Sequence, residues 1–119
     1  ESMKKYTDSP VWNARLSKKM WELYLKNGTF GKRCYASPAE AEDYHDLPPA
    51  YIEVEQYDCL HDEGVNYWRN LHNAGIAAEL QDVKGTFHGF DVFTKTKITK
   101  KMVDIRCRAL GCAFWEGKF

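Results

Sequence analysis

AYIEVEQYDCLHDEGVNYWRNLHNAGIAAELQDV, residues 50–83, is the stretch whose reading decides the fold. Tyr51, Ile52, Val54 and Tyr57 are strand formers placed directly after the Pro48-Pro49 pair, so AYIEVEQY reads as a strand. Asp62 and Glu63 follow where the positive end of a helix dipole favours carboxylates, and Val65, Trp68 and Leu71 recur at helical spacing until Gly75. Ile76, Ala78 and Leu80 then alternate with polar positions through Val83, which predicts a second, half-buried strand. Strand, helix and strand within about 35 residues make a βαβ unit, the crossover that parallel strands require.

Outward from this unit, KITKKMVDIRCRALGCAFW sets Ile98, Met102, Ile105, Ala109 and Cys112 or Ala113 on one face of a last helix. Lys95, Lys97, Lys100 and Lys101 form its solvated start. Toward the N-terminus, Ser9-Pro10 offers a serine cap with proline at the first helical position. Trp12 or Asn13, Leu16, Met20, Leu23 and Tyr24 recur at helical spacing, and Asn27-Gly28 closes the pattern. Thr29 to Pro49 reads as a loop, with one short helical turn in SPAEAEDY. Residues 1–34 are thus a helical segment, and residues 35–119 carry both strands and the C-terminal helix.

Two strands do not make a covered parallel sheet. The expectation is therefore the end of a larger α/β domain, completed by its missing N-terminal part or by a second copy of the chain. The opening Glu1-Ser2 before Met3, with no strand before residue 50, agrees with that expectation.

Composition narrows the function. Seventeen basic and seventeen acidic residues give zero formal net charge over 119 residues, which argues against nucleic acid or an anionic membrane as partner. No apolar run approaches the roughly 18 residues of a membrane-spanning helix, and no signal-peptide pattern is present, so the expectation is a cytoplasmic protein. Cys34, Cys59, Cys107 and Cys112 show neither CxxC spacing nor the density of a disulfide scaffold, and reduced thiols are expected.

Ligands of open α/β sheets bind beyond the carboxyl ends of the strands. The first strand runs into Tyr57-Asp58-Cys59-Leu60 and the second into Gly85-Thr86-Phe87-His88-Gly89. If the strands are neighbours, Asp58 and His88 emerge side by side, and an aspartate that accepts from imidazole Nδ1 fixes the tautomer and stabilises the imidazolium. Each residue alone has an ordinary structural reading, Asp58 as a loop residue and His88 as part of a glycine turn. Their combination points to acid-base chemistry.

The run LPPAYIEVEQYDCLHDEGVNYWRNLHNAGIAAELQDVKGTFHGF, residues 47–90, resembles the C-terminal part of alpha/beta-hydrolase esterases of the hormone-sensitive-lipase-like family. The resemblance rests on the Leu-Pro-Pro lead-in, the Asp-x-Leu-x-Asp-Glu segment and His-Gly-Phe after the last strand; YASPAEAEDYHDLPP, residues 35–49, is similar to the family's approach to the first of these strands. It implies Asp58 as the acid and His88 as the general base of a serine esterase or lipase triad, a small-molecule ester as substrate and no cofactor. Asp62 and Glu63 would belong to the helix start. The family's Gly-x-Ser-x-Gly elbow and His-Gly-Gly-type oxyanion loop are missing from these 119 residues, whose serines are Ser2, Ser9, Ser17 and Ser37. The resemblance therefore implies the last third or so of such an enzyme, inactive by itself.

Other sites are weaker. Cys59-Leu60-His61 lacks the second spaced pair of a metal site, so no metal is expected, and Cys59 adjoins the proposed acid rather than a separate nucleophile elbow. Trp12, Trp21 and Tyr24 favour core packing over an acyl pocket, which the resemblance also allows. The alternative from another functional class is an association module that hides its strand edges against another copy and keeps Asp58 and His88 as remnants.

Overall fold

The structure is a computed structural model that describes residues 1–29, 31 and 33–116, so the segment read through residue 119 ends outside the described residues. In chain order, α1 spans Ser2–Lys5, α2 Ala14–Tyr24, α3 Arg33–Ala36, β1 Ala50–Glu55, α4 His61–Asn73, β2 Ala78–Val83 and α5 Lys97–Gly111. Single 3-10 turns lie at Pro38–Glu40 and Phe90–Val92, and a π turn at Cys112–Glu116 extends α5.

β1 and β2 pair in parallel, with Ala50 opposite Ala78 and Glu55 opposite Val83. Because side chains alternate along each strand, this register sorts them between two faces. Ile52 and Val54 stand on one face with Leu80. There α4 approaches so closely that a Cβ on Gly64 would lie 2.5 Å from Val54 Cγ1. Leu71 of α4 is fully buried, and Trp68 donates its indole N–H to the Ala78 carbonyl at 2.9 Å. Tyr51, Glu53, Glu55 and Val83 stand on the other face. Buried Val83, Phe90 and Met102 form its core with Ile98 and Ile105, as the spacing of the last helix predicts.

Arg106 of α5 ties this second layer together. Its guanidinium bonds Glu53 through Nε at 3.0 Å and Nη2 at 2.5 Å, and Asp91, just past the histidine turn, through Nη1 at 2.7 Å. The Glu53 side chain is only 10% exposed, so this is a mostly desolvated carboxylate with its charge matched.

The N-terminal helix departs from expectation. It starts at Ala14, not Pro10, and its cap is Asn13, whose side chain accepts from the Leu16 amide at 3.1 Å. The reason is local: Val11 has φ +65° and the Trp12 amide bonds the Pro10 carbonyl at 2.7 Å, a turn that no helical path can pass through. Core packing fails for most of its apolar stripe. Leu16, Leu23 and Tyr24 are exposed, while Ser17 is the buried residue of this helix. The helix also ends early, at Tyr24, and the chain turns away through Gly28 at φ +81°. α1 and α3 have no counterpart in the periodicity, being single turns too short to show one.

Candidate active site

Both strands end at the same rim. Beyond β1, the Asp58 amide bonds the Glu55 carbonyl at 3.1 Å and closes a tight turn. The Asp58 carboxylate is turned back into the protein, where Oδ1 accepts from the Leu60 amide at 2.9 Å. Beyond β2, Thr86 caps the strand by donating to the Val83 carbonyl at 2.7 Å, and Gly89 takes φ +71°, a left-handed conformation that glycine adopts at no steric cost. The next residue, Phe90, anchors the turn in the core.

The two loops are stitched by their backbones. The Tyr57 amide donates to the Thr86 carbonyl at 2.9 Å, and the Gln56 side chain accepts from the Gly85 amide at 2.8 Å. The outcome is a 2.7 Å contact between His88 Nδ1 and Asp58 Oδ2, bridging thirty positions of sequence. The Asp58 side chain is 4% exposed and that of His88 40%. An ionised carboxylate can only accept, so in this bond Nδ1–H donates and Nε2 is the ring nitrogen left for other partners. Asp58 and His88, the sequence-predicted pair, are thus brought together within hydrogen-bond reach.

Around them lies an open cleft of about 370 Å³ lined by Trp21, Glu55, Asp58, Leu60, Tyr67 and His88 among others. The Trp12 ring stands 5.9 Å from the imidazole, tilted by 36°, and Val11 approaches Gly89 so closely that a Cβ there would be 3.3 Å from Val11 Cγ1. The unusual backbone of Val11 therefore delivers two apolar side chains to the histidine turn. Of the three aromatics weighed between core and pocket, Trp12 and Trp21 border the site, whereas Tyr24 is exposed.

Glu55 was not singled out from the sequence, yet one of its carboxylate oxygens lies with an Asp58 oxygen and a His88 nitrogen within 4.8 Å of one another. Burial, then the charges of Asp58 and Glu53, push its carboxyl up to about 7. The signal was present in the alternation: with Val54 turned to α4, Glu55 must face the other way, at the strand end nearest the site. These three groups could also ligate a divalent cation, but a metal on Nδ1 would replace the proton through which Nδ1 bonds Asp58. Cys59 is fully buried and burial pushes its thiol up to about 11, which suits packing and not nucleophilic attack. Asp62 and Glu63 lie in the first turn of α4, as expected.

Comparison with known proteins now bears on these features. The profile of the alpha/beta hydrolase fold family matches residues 1–92. The chain belongs to the alpha/beta hydrolase fold family. Esterase LipI of Mycobacterium tuberculosis is 43% identical over 54 residues, covering 45% of this chain and 17% of that protein. Neutral cholesterol ester hydrolase 1 of Rattus norvegicus is 39% identical over 75 residues, covering 61% and 18%. The solved structure of esterase LipW from Mycobacterium marinum superposes with a TM-score of 0.89 at 24% identity, over 96% of this chain and 36% of that one, a likeness of fold alone. This alpha/beta hydrolase chain thus spans under a fifth of the curated relatives it matches and about a third of the solved structure. Among its described residues, no helix is long and apolar enough to cross a membrane.

Proposed function

We propose that this chain is the C-terminal portion of a serine carboxylesterase or lipase acting on short or medium acyl esters, with Asp58 as triad acid and His88 as general base. The observation that carries the reading is the 2.7 Å Asp58–His88 hydrogen bond at the carboxyl ends of two adjacent parallel strands. The names of the relatives, an esterase and a cholesterol ester hydrolase, support the reaction class.

On this reading Nε2 of His88 removes the proton of a serine hydroxyl as it attacks the ester carbonyl, then returns that proton to the leaving alcohol. Asp58 keeps the ring in the Nδ1–H tautomer and stabilises the imidazolium between the two transfers. Its near-complete burial makes that interaction stronger than it would be in water. Trp12 and Trp21 form an apolar wall beside the base. The sequence carries no Gly-x-Ser-x-Gly segment and no oxyanion loop, so the serine and the oxyanion donors come from the rest of the domain, and the chain alone is inactive. The bare edge of β1 and the exposed stripe of α2 are the surfaces that the rest of the domain, or a second copy, would cover.

The test is hydrolysis of a short-chain nitrophenyl ester by this chain and by a longer polypeptide that includes the preceding segment of its gene. The chain alone is expected to be silent and the longer form active. In the longer form, His88→Ala should lower kcat by about 10⁶-fold and Asp58→Asn by at most about 10⁴-fold. Full activity in the His88→Ala variant would refute the assignment.

A further inference from the structure

Glu53 and Glu55 are alternate residues on one face of β1, and the fold treats them in opposite ways. Glu53 is neutralised by the two-pronged contact of Arg106. Glu55, half-buried two residues on, has no hydrogen-bonded lysine or arginine among the described residues, although the same strand and helix pass it. What Glu55 has instead is the imidazole of His88, in a cluster with Asp58 no wider than 4.8 Å. A partly desolvated carboxylate beside a second carboxylate is unfavourable unless a proton or a cation is shared among them. Among the described residues, the imidazole of His88 is the titratable cation that lies in this cluster.

We propose that Glu55 is a positioning residue, a second carboxyl group for His88 that shares with Asp58 the holding of Nδ1–H and the stabilisation of the imidazolium. The inference deepens the esterase reading and rests on it for its catalytic meaning, but the proton sharing itself is a property of this chain. In the resting site the Glu55 carboxyl keeps its proton to higher pH than an ordinary glutamate, for the reasons of burial and neighbouring charge given above. When Nε2 gains a proton, the positive ring favours loss of the Glu55 proton, so the cluster carries less net change of charge than a lone dyad would. The charged and titratable groups acting on Glu55 are Glu53 from its own strand, Asp58 and His88 from the two loops, and Arg106 from α5. Glu63 and His61 of α4 line the same cleft.

Ring ¹⁵N resonances of His88, followed against pH in this chain, test the proposal without any catalytic assay. In the wild-type chain they should show two inflections, one of them Glu55's near pH 7. Glu55→Gln should lose that inflection, and Glu55→Asp should restore it at a shifted midpoint. At pH above Glu55's ionisation, Asp58→Asn should keep the Nδ1–H tautomer because Glu55 accepts in its place. The double variant Asp58→Asn/Glu55→Gln should lose it. A ring titration in Glu55→Gln that overlays the wild type, or an identical tautomer in the single and double variants, would overturn the role. Thermal melting guards against misfolding and supplies an independent sign. A carboxyl whose folded pKa lies above its unfolded value makes the fold less stable as pH rises through the interval between the two, here from about 4.5 to about 7. Glu55→Gln should therefore melt higher than wild type above pH 7 and alike below pH 4.5; equal melting at both ends would also overturn the proposal. Failure of the esterase reading would show separately, as hydrolysis that survives His88→Ala, and would leave these titrations unchanged.

Discussion

α2 and α5 are both amphipathic helices, and they meet different fates. α5 lays Ile98, Met102 and Ile105 against Val83 and Phe90, so its apolar stripe is spent within the described chain. α2 keeps Leu16, Leu23 and Tyr24 exposed at 45%, 61% and 61%, and buries Ser17 instead. The difference is one of partners and not of pattern. α5 packs on the sheet face that its own preceding strand helps to build, whereas α2 precedes both strands and reaches the site through Trp21 and through its lead-in at Val11 and Trp12. Helical periodicity states that a face wants covering. It does not state what covers it.

Four substitutions, compared by chemical denaturation of this chain, press on that contrast. Phe90→Ala should cost most, about 3–5 kcal/mol, since it empties the centre of the α5 layer. A loss below about 1 kcal/mol would mean that this layer is loosely packed and no better consolidated than α2. Arg106→Met should cost about 2 kcal/mol, because it strands the mostly buried Glu53 carboxylate while Arg106 itself is partly solvated. Pairing Arg106→Met with Glu53→Gln should recover much of that loss, and an additive double variant would count against the ion pair. Gly64→Ala follows at about 1–2 kcal/mol, as the new methyl group must push Val54 Cγ1 from a 2.5 Å approach. At the other end, Leu23→Ala should change stability by less than about 0.5 kcal/mol, since its side chain is largely in water already. A larger effect there would show that α2 is covered in solution, by another copy, for instance. The same substitution in a longer polypeptide should be costly if the rest of the domain lies on α2.

The strand, helix and strand of residues 50–83 were legible because each signal had one reading: β-formers after a proline pair, carboxylates at a helix start, alternation to Val83. Asp58 and His88 were legible as a pair because parallel strands deliver their loops to one rim, whatever the sequence distance. The start of α2 was not. Ser9-Pro10 is a sound cap signal, but Val11 takes a left-handed backbone beside the histidine turn, a tertiary constraint that no local propensity contains. Glu55 was missed for another reason. Its importance lies in the absence of a matching Arg106, which only the placement of α5 reveals, since Arg106 is 53 residues from the glutamate it does match.

The hydrogen bond from the Tyr57 amide to the Thr86 carbonyl gives the loops of Asp58 and His88 a common lifetime. Neither loop can leave the rim without breaking it, and it belongs to the backbone, so it survives substitution of either the Asp58 or the His88 side chain. Its amide proton is then a clock for the site. The rate at which Tyr57 exchanges with deuterium measures how often the two loops part, in any variant of Asp58, Glu55 or His88, and separates a site that has lost a group from one that has lost its shape.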